Sequence, residues 1–411
     1  MREILFLSHR IPFPPDRGDK IRSHHILKRL TRIAPVHVAT FAEDDFDSAE
    51  EAELAAVASS YVLVRRTKPL ALAGVQALVA GKPVSLSAFW NNTFADYVAE
   101  VLETRPISTI YVFSGQMGQY VPDTFKGRVV ADFVDVDSAK FEAYSHKHSG
   151  VMSWIDAREA RLLRAEEARF AARADVSLLI TRSEADLFRS RLPESLKAHT
   201  KVEVLANGID SVAFDPATVA PETRLLDCAE PRLIFTGQMD YSPNIEAVKR
   251  TIDRIMPLVR RELPEATFHV VGRNPVQELM DRDGRNGTRV WGRVDDIRTW
   301  LKAADMAIVP LEIGRGVQNK VLEAMAMGLP VVLTPAAAEG IDAQDGVHYR
   351  VAASDEDLAR AVISAMTDLR RSRIQGQAAR RFVTETVSWQ SALSRLPELI
   401  GQPPRAVRDA A

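Results

Sequence analysis

Short apolar runs alternate with longer amphipathic stretches along the whole chain. The apolar runs predict eleven β-strands, at residues 3–8, 36–41, 61–65, 109–113, 128–134, 175–181, 202–205, 232–237, 267–272, 305–311 and 331–334. Several of these runs lack polar alternation, as expected for strands that are buried on both faces of a parallel sheet. Helical patterns such as 153–174 and 355–370 fill the intervals. The alternation of strand and helix predicts an α/β fold with doubly wound sheets.

A break in this pattern divides the chain into two parts of similar size. The segment "NGID" at 207–210 is followed by a stretch rich in proline and alanine, and a new series of strands begins at Leu233. We therefore predict two Rossmann-like domains that face one another across a cleft, the first at 1–210 and the second at 211–385.

The remaining C-terminal residues are predicted to form two short segments. We expect a helix at 386–400 that packs back toward the first domain. The tail at 401–411, "GQPPRAVRDAA", is rich in small, charged and proline residues and is predicted to be disordered.

Composition narrows the class of protein. Of 411 residues, 46% are hydrophobic and 26% are charged, and the formal net charge of −2 gives no reason to expect a nucleic-acid partner. The single cysteine, Cys228, excludes an internal disulfide and a multi-cysteine metal site, as is usual in a reducing compartment. The apolar run at the N-terminus, Ile4–Leu7, is too short for a signal peptide or a membrane span, so we expect a cytoplasmic protein.

The segment "PLEIGRGVQNKVLEAMAMGLPVV" at 310–332 enters a helix through Gly314 and Gly316. Glycines at this place let backbone N–H groups approach a ligand, and the partial positive charge of a helix N-terminus favours a phosphate. Lys320 lies one turn into the helix, where its ammonium can reach the same phosphate. Glu323 lies one turn further on the same face, placed to accept hydrogen bonds from two vicinal ribose hydroxyls. The pattern predicts a nucleoside diphosphate site, and its alternative is a Lys320–Glu323 ion pair on a solvated helix face.

Four motifs in order along the chain resemble the retaining family 4 of nucleotide-sugar glycosyltransferases, which have the GT-B fold. They are "VLANGID" at 204–210, "FTGQMDYSPN" at 235–244, "WGRVDDI" at 291–297 and "NKVLEAMAMGLPVV" at 319–332. The N-terminal segment at 12–30 and "DFVDVDSAKFEAYS" at 132–145 resemble, more narrowly, the glycosyltransferases encoded with exosortase/PEP-CTERM exopolysaccharide systems.

The resemblance implies a set of residues that bind the nucleotide part of the donor. They are Gly237, Asn244, Arg293, Val294, Arg315, Gly316, Val317 and Glu323. The chain departs from the family at two places. Arg315 stands where many relatives carry an acidic residue that approaches the donor sugar, and the loop after 232–237 offers Gln238 and Asn244 where many have an arginine and a lysine. Lys320 and Arg315 are then expected to supply the positive charge for the diphosphate.

Gly18 marks a second candidate phosphate site, in the loop after the first strand. Three prolines, then Asp16 to Lys20, precede a helix predicted from about Ile21. A glycine at the helix entrance permits a close approach that a Cβ would block, and the resemblance implies that this loop reaches the donor diphosphate and the acceptor. The alternative is a surface connection stiffened by proline.

Acidic residues follow the predicted strand at 128–134. Ligands gather at the carboxyl ends of strands in open α/β sheets, so we expect Asp135, or with less support Asp132, to contact a sugar hydroxyl. Capping of the next helix by Asp137 or Ser138 is the competing interpretation. We reject a metal-binding DxD motif here, because similar acidic triplets occur at 281–283 and 355–357 and the other motifs are those of GT-B enzymes.

These inferences predict a metal-independent, retaining hexosyltransferase that uses a UDP- or GDP-linked sugar and no cofactor. Its acceptor is expected to be an exopolysaccharide or a lipid-linked saccharide. Lys320, the amides of Gly316 and Val317, and the Gly18 loop would stabilise the leaving diphosphate. Peripheral contact with the inner membrane through the arginine-rich stretch 153–175 stays open, its alternative being a solvated charged face. Two further alternatives are a non-catalytic GT-B protein that binds nucleotide sugar or scaffolds exopolysaccharide assembly, and a nucleotide-sugar 2-epimerase.

Overall fold

A computed structural model of the chain describes residues 2–15, 17–313 and 317–402. The chain divides into two compact units. The first comprises Met1–Asn207 together with the chain from Leu393 onward, and the second comprises Gly208–Ala392. The predicted divisions after residues 210 and 385 lie three and seven residues from these boundaries, at 207 and 392.

The first unit contains a seven-stranded, wholly parallel sheet with strand order β3-β2-β1-β4-β5-β6-β7. Its strands are β1 Glu3–Ser8, β2 Val36–Ala42, β3 Ser60–Arg65, β4 Ile107–Phe113, β5 Arg128–Val134, β6 Val176–Leu179 and β7 Val202–Val204. The helices between them are α1 Gly18–Thr31, α2 Asp45–Ala49, α3 Glu51–Val57, α4 Leu70–Ala80, α5 Val84–Ala88, α6 Asn92–Thr104, α7 Asp137–Lys147, α8 Gly150–Arg173, α9 Arg182–Arg191 and α10 Glu194–Lys197, with a 3-10 helix at Gly115–Tyr120.

The second unit contains a six-stranded parallel sheet with strand order β10-β9-β8-β11-β12-β13. Its strands are β8 Arg232–Thr236, β9 Thr267–Val271, β10 Thr288–Gly292, β11 Met306–Val309, β12 Val331–Leu333 and β13 Arg350–Val351. Its α-helices are α11 Thr223–Leu226, α12 Ser242–Arg250, α13 Met256–Glu262, α14 Gln277–Met280, α15 Ile297–Ala303, α16 Asn319–Ala326, α17 Pro335–Ala338, α18 Asp355–Thr367, α19 Leu369–Phe382 and α20 Trp389–Ala392. Further helical turns are the 3-10 turn Arg285–Gly287 and the π-helical turns Thr251–Ile255 and Val383–Val387.

The predicted doubly wound parallel sheets are confirmed, and each of the eleven predicted strands corresponds to a strand of the structure. Two strands, β10 and β13, were missed, and both lie at the edges of the second sheet. The predicted C-terminal end of the helix at 355–370 is wrong. Helix α18 stops at Thr367, and the side chain of Asp368 accepts from the backbone N–H of Arg371 to cap the separate helix α19.

The C-terminal residues belong to the first unit and end in α21, Leu396–Leu399. Arg128 Nε donates to the Leu399 carbonyl at 2.6 Å, and Thr109 Oγ1 donates to the Ile400 carbonyl at 3.2 Å. The predicted disordered tail lies outside the described residues from residue 403 onward. Within the described ranges, none of the helices is both long enough and apolar enough to cross a membrane.

The strand order places a switch point in each sheet. In the second unit, β9 lies on one side of β8 and β11 lies on the other, so the connections leave toward opposite edges at this point. In the first unit, β2 and β4 flank β1 in the same way. Ligands of open α/β sheets bind outside the carboxyl ends of the strands at such points, and these two edges are where the functional residues are sought.

Candidate functional site

Three loops meet at the carboxyl edge of the second sheet. The N–H of Gly237 donates to the Val271 carbonyl at 3.2 Å, and the N–H of Gly272 donates to the Gly292 carbonyl at 2.9 Å. A Cβ on Gly272 would lie 1.6 Å from the carbonyl oxygen of Gly237. Glycine is therefore required at Gly272 because the loops after β8 and β9 approach each other closely.

Lys320 projects from the first turn of α16 into this edge. Its Nζ donates to Asn244 Oδ1 at 2.5 Å and lies 4.7 Å from the centre of the Phe235 ring. A Cβ on Gly237 would approach Nζ to 3.4 Å. The lysine is partly buried, and no ion pair within 4 Å joins it to a carboxylate of the described residues. Neutral groups therefore hold this cation in place. The arrangement differs from the alternative considered from the sequence, a Lys320–Glu323 ion pair on a solvated helix face.

Asn244 has both ends of its amide occupied. Its Oδ1 accepts from Lys320, and its Nδ2 donates to the Gln238 carbonyl at 2.8 Å. The side chain is also buried. Asn244 therefore orients Lys320, and its amide has little left to offer a nucleotide directly.

Burial perturbs both titratable groups of α16. Desolvation lowers the pKa of Lys320 to about 8, although the nearby charge of Glu323 opposes the shift. Desolvation likewise raises the pKa of Glu323 to about 7, and the charge of Lys320 opposes this shift. The Glu323 carboxylate makes no hydrogen bond with the part of the chain that the structure describes. Perturbed groups of this kind are typical of functional sites.

The entrance to α16 is described only in part. Gln318 is the N-cap residue and Val317, which precedes it, is exposed. Two of the residues predicted to bind the nucleotide, Arg315 and Gly316, lie outside the described residues, as does Gly314.

The loops after β9 and β10 carry two exposed arginines at the same edge. Arg293, one of the predicted residues, follows Gly292 and is exposed, whereas Val294 packs partly buried against the hydrophobic core. Arg273 follows Gly272, and its Nη2 donates to Gln238 Oε1 at 3.1 Å. Arg273 was missed from the sequence, although it directly follows a strand that had been predicted and so falls at the ligand-binding edge.

Gly18 is the first residue of α1, which begins three residues earlier than predicted. It is exposed, and an added Cβ would meet nothing within 4 Å. The protein itself therefore does not require glycine there. The loop before it is not a surface connection throughout, because Ile11 and Phe13 are buried, and Lys20 Nζ is buried between Asp47 Oδ1 at 2.5 Å and the Phe13 carbonyl at 2.9 Å.

Asp132 belongs to a buried polar network of the first unit, so its prediction as a sugar contact is wrong. Arg22 Nε and Nη2 donate to its two carboxylate oxygens at 3.1 and 3.0 Å, and Tyr111 donates to it at 2.7 Å. Arg22 Nη1 also donates to Asn207 Oδ1 at 2.8 Å. Asp132 is 1% exposed, so its carboxylate is not accessible to a sugar.

Asp135 lies at the carboxyl end of β5 and is partly exposed. Lys140 Nζ contacts Asp135 Oδ2 at 3.0 Å and Asp137 Oδ1 at 3.1 Å. Burial lowers the pKa of Lys140, but the charges of the two aspartates outweigh it and raise that pKa above its ordinary value. Asp135 also lines a small cleft together with Leu86 and Glu166.

The start of α7 is capped by a residue of another helix. The alternative in which Asp137 or Ser138 caps this helix is therefore wrong. Neither side chain caps the helix. Instead Glu167 accepts from the Ser138 N–H at 2.9 Å and from the Ser138 hydroxyl at 2.6 Å. Burial raises the pKa of Glu167 to about 7 although both hydrogen bonds favour the carboxylate.

The described residues contain no group of three or more His, Cys, Asp or Glu side chains arranged to hold a metal ion. A groove of the second unit, about 900 Å³, lies away from Lys320 and is lined by β13, α18 and α19. Its arginines, such as Arg350 and Arg371, would suit an anion, but none of the residues predicted from the sequence line it. We place the site at the switch point, where the perturbed groups lie.

A model of the family described as glycosyl transferases, group 1, matches residues 230–368, a range that includes all six strands of the second sheet. None of the curated proteins matches the chain in sequence.

Several solved structures match almost the whole chain. HepE of Anabaena, solved with UDP-glucose, has a TM-score of 0.61 at 15% identity and covers 97% of this chain and 99% of its own. Sucrose-phosphate synthase of Thermosynechococcus elongatus has a TM-score of 0.61 at 13% identity, covering 97% and 98%. WaaG, a glycosyltransferase involved in lipopolysaccharide biosynthesis, has a TM-score of 0.58 at 17% identity, covering 97% and 100%. The predicted GT-B fold is confirmed by these likenesses.

Proposed function

We propose that the protein is a retaining glycosyltransferase that transfers a hexose from a UDP- or GDP-linked sugar to an exopolysaccharide or lipid-linked saccharide of a bacterium. One observation carries the proposal. At the switch point of the second sheet, a partly buried lysine lies one turn before a carboxylate. Within the described ranges, the lysine has no carboxylate partner and the carboxylate accepts no hydrogen bond. The family match over 230–368 supports a glycosyltransferase, and the UDP-glucose in HepE supports the class of donor.

Lys320 is proposed to bind the diphosphate. Its ammonium is held by Asn244 and the Phe235 ring, so its position is preorganised. Its pKa is lowered to about 8 because burial removes solvation from the charged form. A diphosphate would restore that stabilisation. Arg273 and Arg293, exposed at the same edge, are placed to add positive charge.

Glu323 is proposed to bind the ribose. Burial raises its pKa to about 7 because the carboxylate has lost water without gaining donors from the described residues. Two vicinal hydroxyls would supply those donors. The arrangement of phosphate ligand and ribose ligand one turn apart on one helix fits a nucleoside diphosphate.

The chemistry follows from the charge that develops during transfer. The bond between the anomeric carbon and the β-phosphate oxygen breaks, leaving an oxocarbenium-like sugar and a diphosphate with added negative charge. Lys320 stabilises that charge electrostatically. The acceptor hydroxyl bonds to the same face of the anomeric carbon, and its proton passes to the departing phosphate oxygen. No pair of carboxylates of the glycosidase type is then required.

Two residues of the first unit are proposed to assist. Asp135, partly exposed at the carboxyl end of β5, is proposed to contact a sugar hydroxyl, and the N-terminal amide at Gly18 to contact phosphate or acceptor. The open space around Gly18 is consistent with this role, since only a ligand would make a Cβ unfavourable there.

The test of the proposal is turnover of a panel of UDP- and GDP-sugars, followed as slow hydrolysis without acceptor and as transfer with added saccharides. Consumption of at least one donor is expected. Tight binding of a donor without any turnover would instead favour a non-catalytic binding protein. The argument for that alternative is that Arg315 stands where many of the glycosyltransferases that the chain resembles carry an acidic residue.

Replacing Glu323 with alanine should weaken binding of the nucleoside diphosphate by about 1.5–3 kcal/mol, the range for hydrogen bonds to a charged group. Calorimetric titration of the wild type and the variant measures this difference. Glu339→Ala, which removes an exposed glutamate of the same unit, is the matched control and should bind as the wild type does. Unchanged affinity in a folded Glu323→Ala protein would remove the ribose assignment.

Turnover is expected to persist after removal of divalent metal ions, because Lys320 and the exposed arginines are proposed to neutralise the diphosphate. The measurement compares the rate in EDTA with the rate in added Mg²⁺ or Mn²⁺. Loss of activity in EDTA and its recovery with either ion would return the acidic pair Asp135 and Asp137 to consideration as metal ligands.

A further inference from the structure

An exposed apolar surface is formed in the first unit by α4 and the first turns of α8. The apolar surface is defined by large side chains that are about half or more exposed: Leu72 48%, Val75 60%, Leu78 54%, Val79 86%, Val151 74%, Met152 53% and Trp154 59%. Single exposed apolar residues are ordinary, but a cluster of this size marks a site of contact with a partner or a membrane.

A hydrogen-bonded contact joins the two parts of the apolar surface. Arg158 Nη2, on α8, donates to the carbonyls of Ala77 at 2.9 Å and Lys82 at 3.2 Å. Trp154 lies one turn before Arg158 on the same helix face. The C-terminal end of α4, with Leu78 and Val79, is therefore a neighbour of the first turns of α8.

The apolar surface carries no charge of its own, and its surroundings are basic. The residues 70–81 and 150–155 include no Asp, Glu, Lys or Arg. Among the basic residues that flank α4, Arg65 and Arg66 pair with Asp45 and Glu43. Lys68 and Lys82 have no carboxylate partner among the described residues, and Lys82, two residues after α4, is exposed. An uncharged apolar centre with a positive rim complements an anionic bilayer, in which acyl chains lie beneath negative headgroups.

An aromatic side chain supports the same occupant. Trp154 is 59% exposed within the apolar surface. Such side chains, apolar with one polar atom, favour the boundary between acyl chains and water. Helix α4, at 11 residues, is too short to span a bilayer, so it would lie in the plane of the interface.

We propose that the apolar surface of α4 and α8 binds the surface of an anionic lipid bilayer. This surface differs from the arginine-rich face of 153–175, for which the sequence left membrane contact open against a solvated charged face. The small cleft that includes Asp135 is lined by Leu86 of α5, directly after α4, and by Leu163 of α8. A lipid-linked acceptor in the bound bilayer would therefore lie beside the cleft that includes Asp135. That use of the surface rests on the proposed function, whereas bilayer binding does not.

The test is co-sedimentation of the full chain with vesicles of phosphatidylcholine, with and without phosphatidylglycerol, in the absence of donor and acceptor. We expect binding to the anionic vesicles that weakens with salt, together with a blue shift of tryptophan emission. The double variant Val75→Glu/Val79→Glu should bind weaker by on the order of tenfold or more. Val212→Glu is the matched control, since Val212 is 83% exposed in the second unit, and it should bind as the wild type does.

If the double variant does not fold, Trp154→Glu provides the same comparison with one substitution. Absence of binding to anionic vesicles by the wild type overturns the proposal, as does equal binding by wild type and variants. A wild-type dimer in solution that dissociates in Val75→Glu/Val79→Glu would also overturn it and assign the surface to a second copy of the chain. Because the assay involves no sugar transfer, its outcome is independent of whether the proposed enzyme activity is found.

Discussion

Replacing Lys320 with alanine should give a folded protein whose turnover at saturating donor falls by about a hundredfold or more, as when one preorganised charge-stabilising donor is lost. The lysine is held at the carboxyl edge of the second sheet by Asn244 and Phe235, with no carboxylate partner within 4 Å among the described residues. Its proposed partner is the leaving diphosphate, whose negative charge increases toward the transition state. The variant should therefore lose kcat more than it raises KM for the donor.

Two further variants test whether the loss of turnover comes from the charge of Lys320. One keeps the apolar stem of Lys320, and the other removes a different lysine. Lys320→Met keeps the stem and should be as inactive as Lys320→Ala. Lys302→Ala removes an exposed lysine of the same unit and should retain wild-type turnover. A Lys320→Ala enzyme within about threefold of wild type would refute the phosphate role, and the site would then have to be sought around Gly18.

Replacing Asp132 with alanine should lower the free energy of unfolding by about 3–5 kcal/mol, the range for removing one partner of a buried ion pair. Arg22 is 0% exposed and has Asp132 as its charged partner, so its guanidinium would remain buried without compensation. Tyr111 would lose the acceptor of its hydroxyl as well. The effect should appear as a lower urea midpoint of the full chain.

Asp135→Ala is the matched control, since Asp135 lies three residues further along and is partly exposed. Its urea midpoint should stay close to that of the wild type, because surface substitutions usually change stability by about 0.5 kcal/mol or less. Its turnover should fall if Asp135 contacts the sugar. An unchanged midpoint for Asp132→Ala would contradict the structural role of the Arg22–Asp132 pair.

The strands were predictable because buried parallel strands are apolar at nearly every position. The two that were missed lie at the edges of the second sheet, where burial no longer dictates the sequence. Strand β10 contains the exposed Arg289 within "TRVWG", and β13 is only two residues long. The break between α18 and α19 was missed for another reason, since a capping aspartate within a long helical pattern leaves little trace in its periodicity.

The position of Lys320 and Glu323 followed from helical spacing, but the roles of their neighbours depend on distant contacts. Spacing alone could not distinguish Asp132 from Asp135, because the partner of Asp132 is Arg22, 110 residues earlier. Nor could it show that Asn244 uses its amide to hold Lys320. Glu167, which caps α7, likewise acts on a residue 29 positions away.

The most direct test of the central claim is an equilibrium titration of the full chain with UDP and with GDP. The account predicts that at least one of them binds at a single site per chain. It also predicts that binding is weaker in both Lys320→Ala and Glu323→Ala, and unchanged in Lys302→Ala and Glu339→Ala. Failure of both nucleotides to bind the wild type, or equal affinity across all these proteins, would contradict a nucleoside diphosphate site at the switch point of the second sheet.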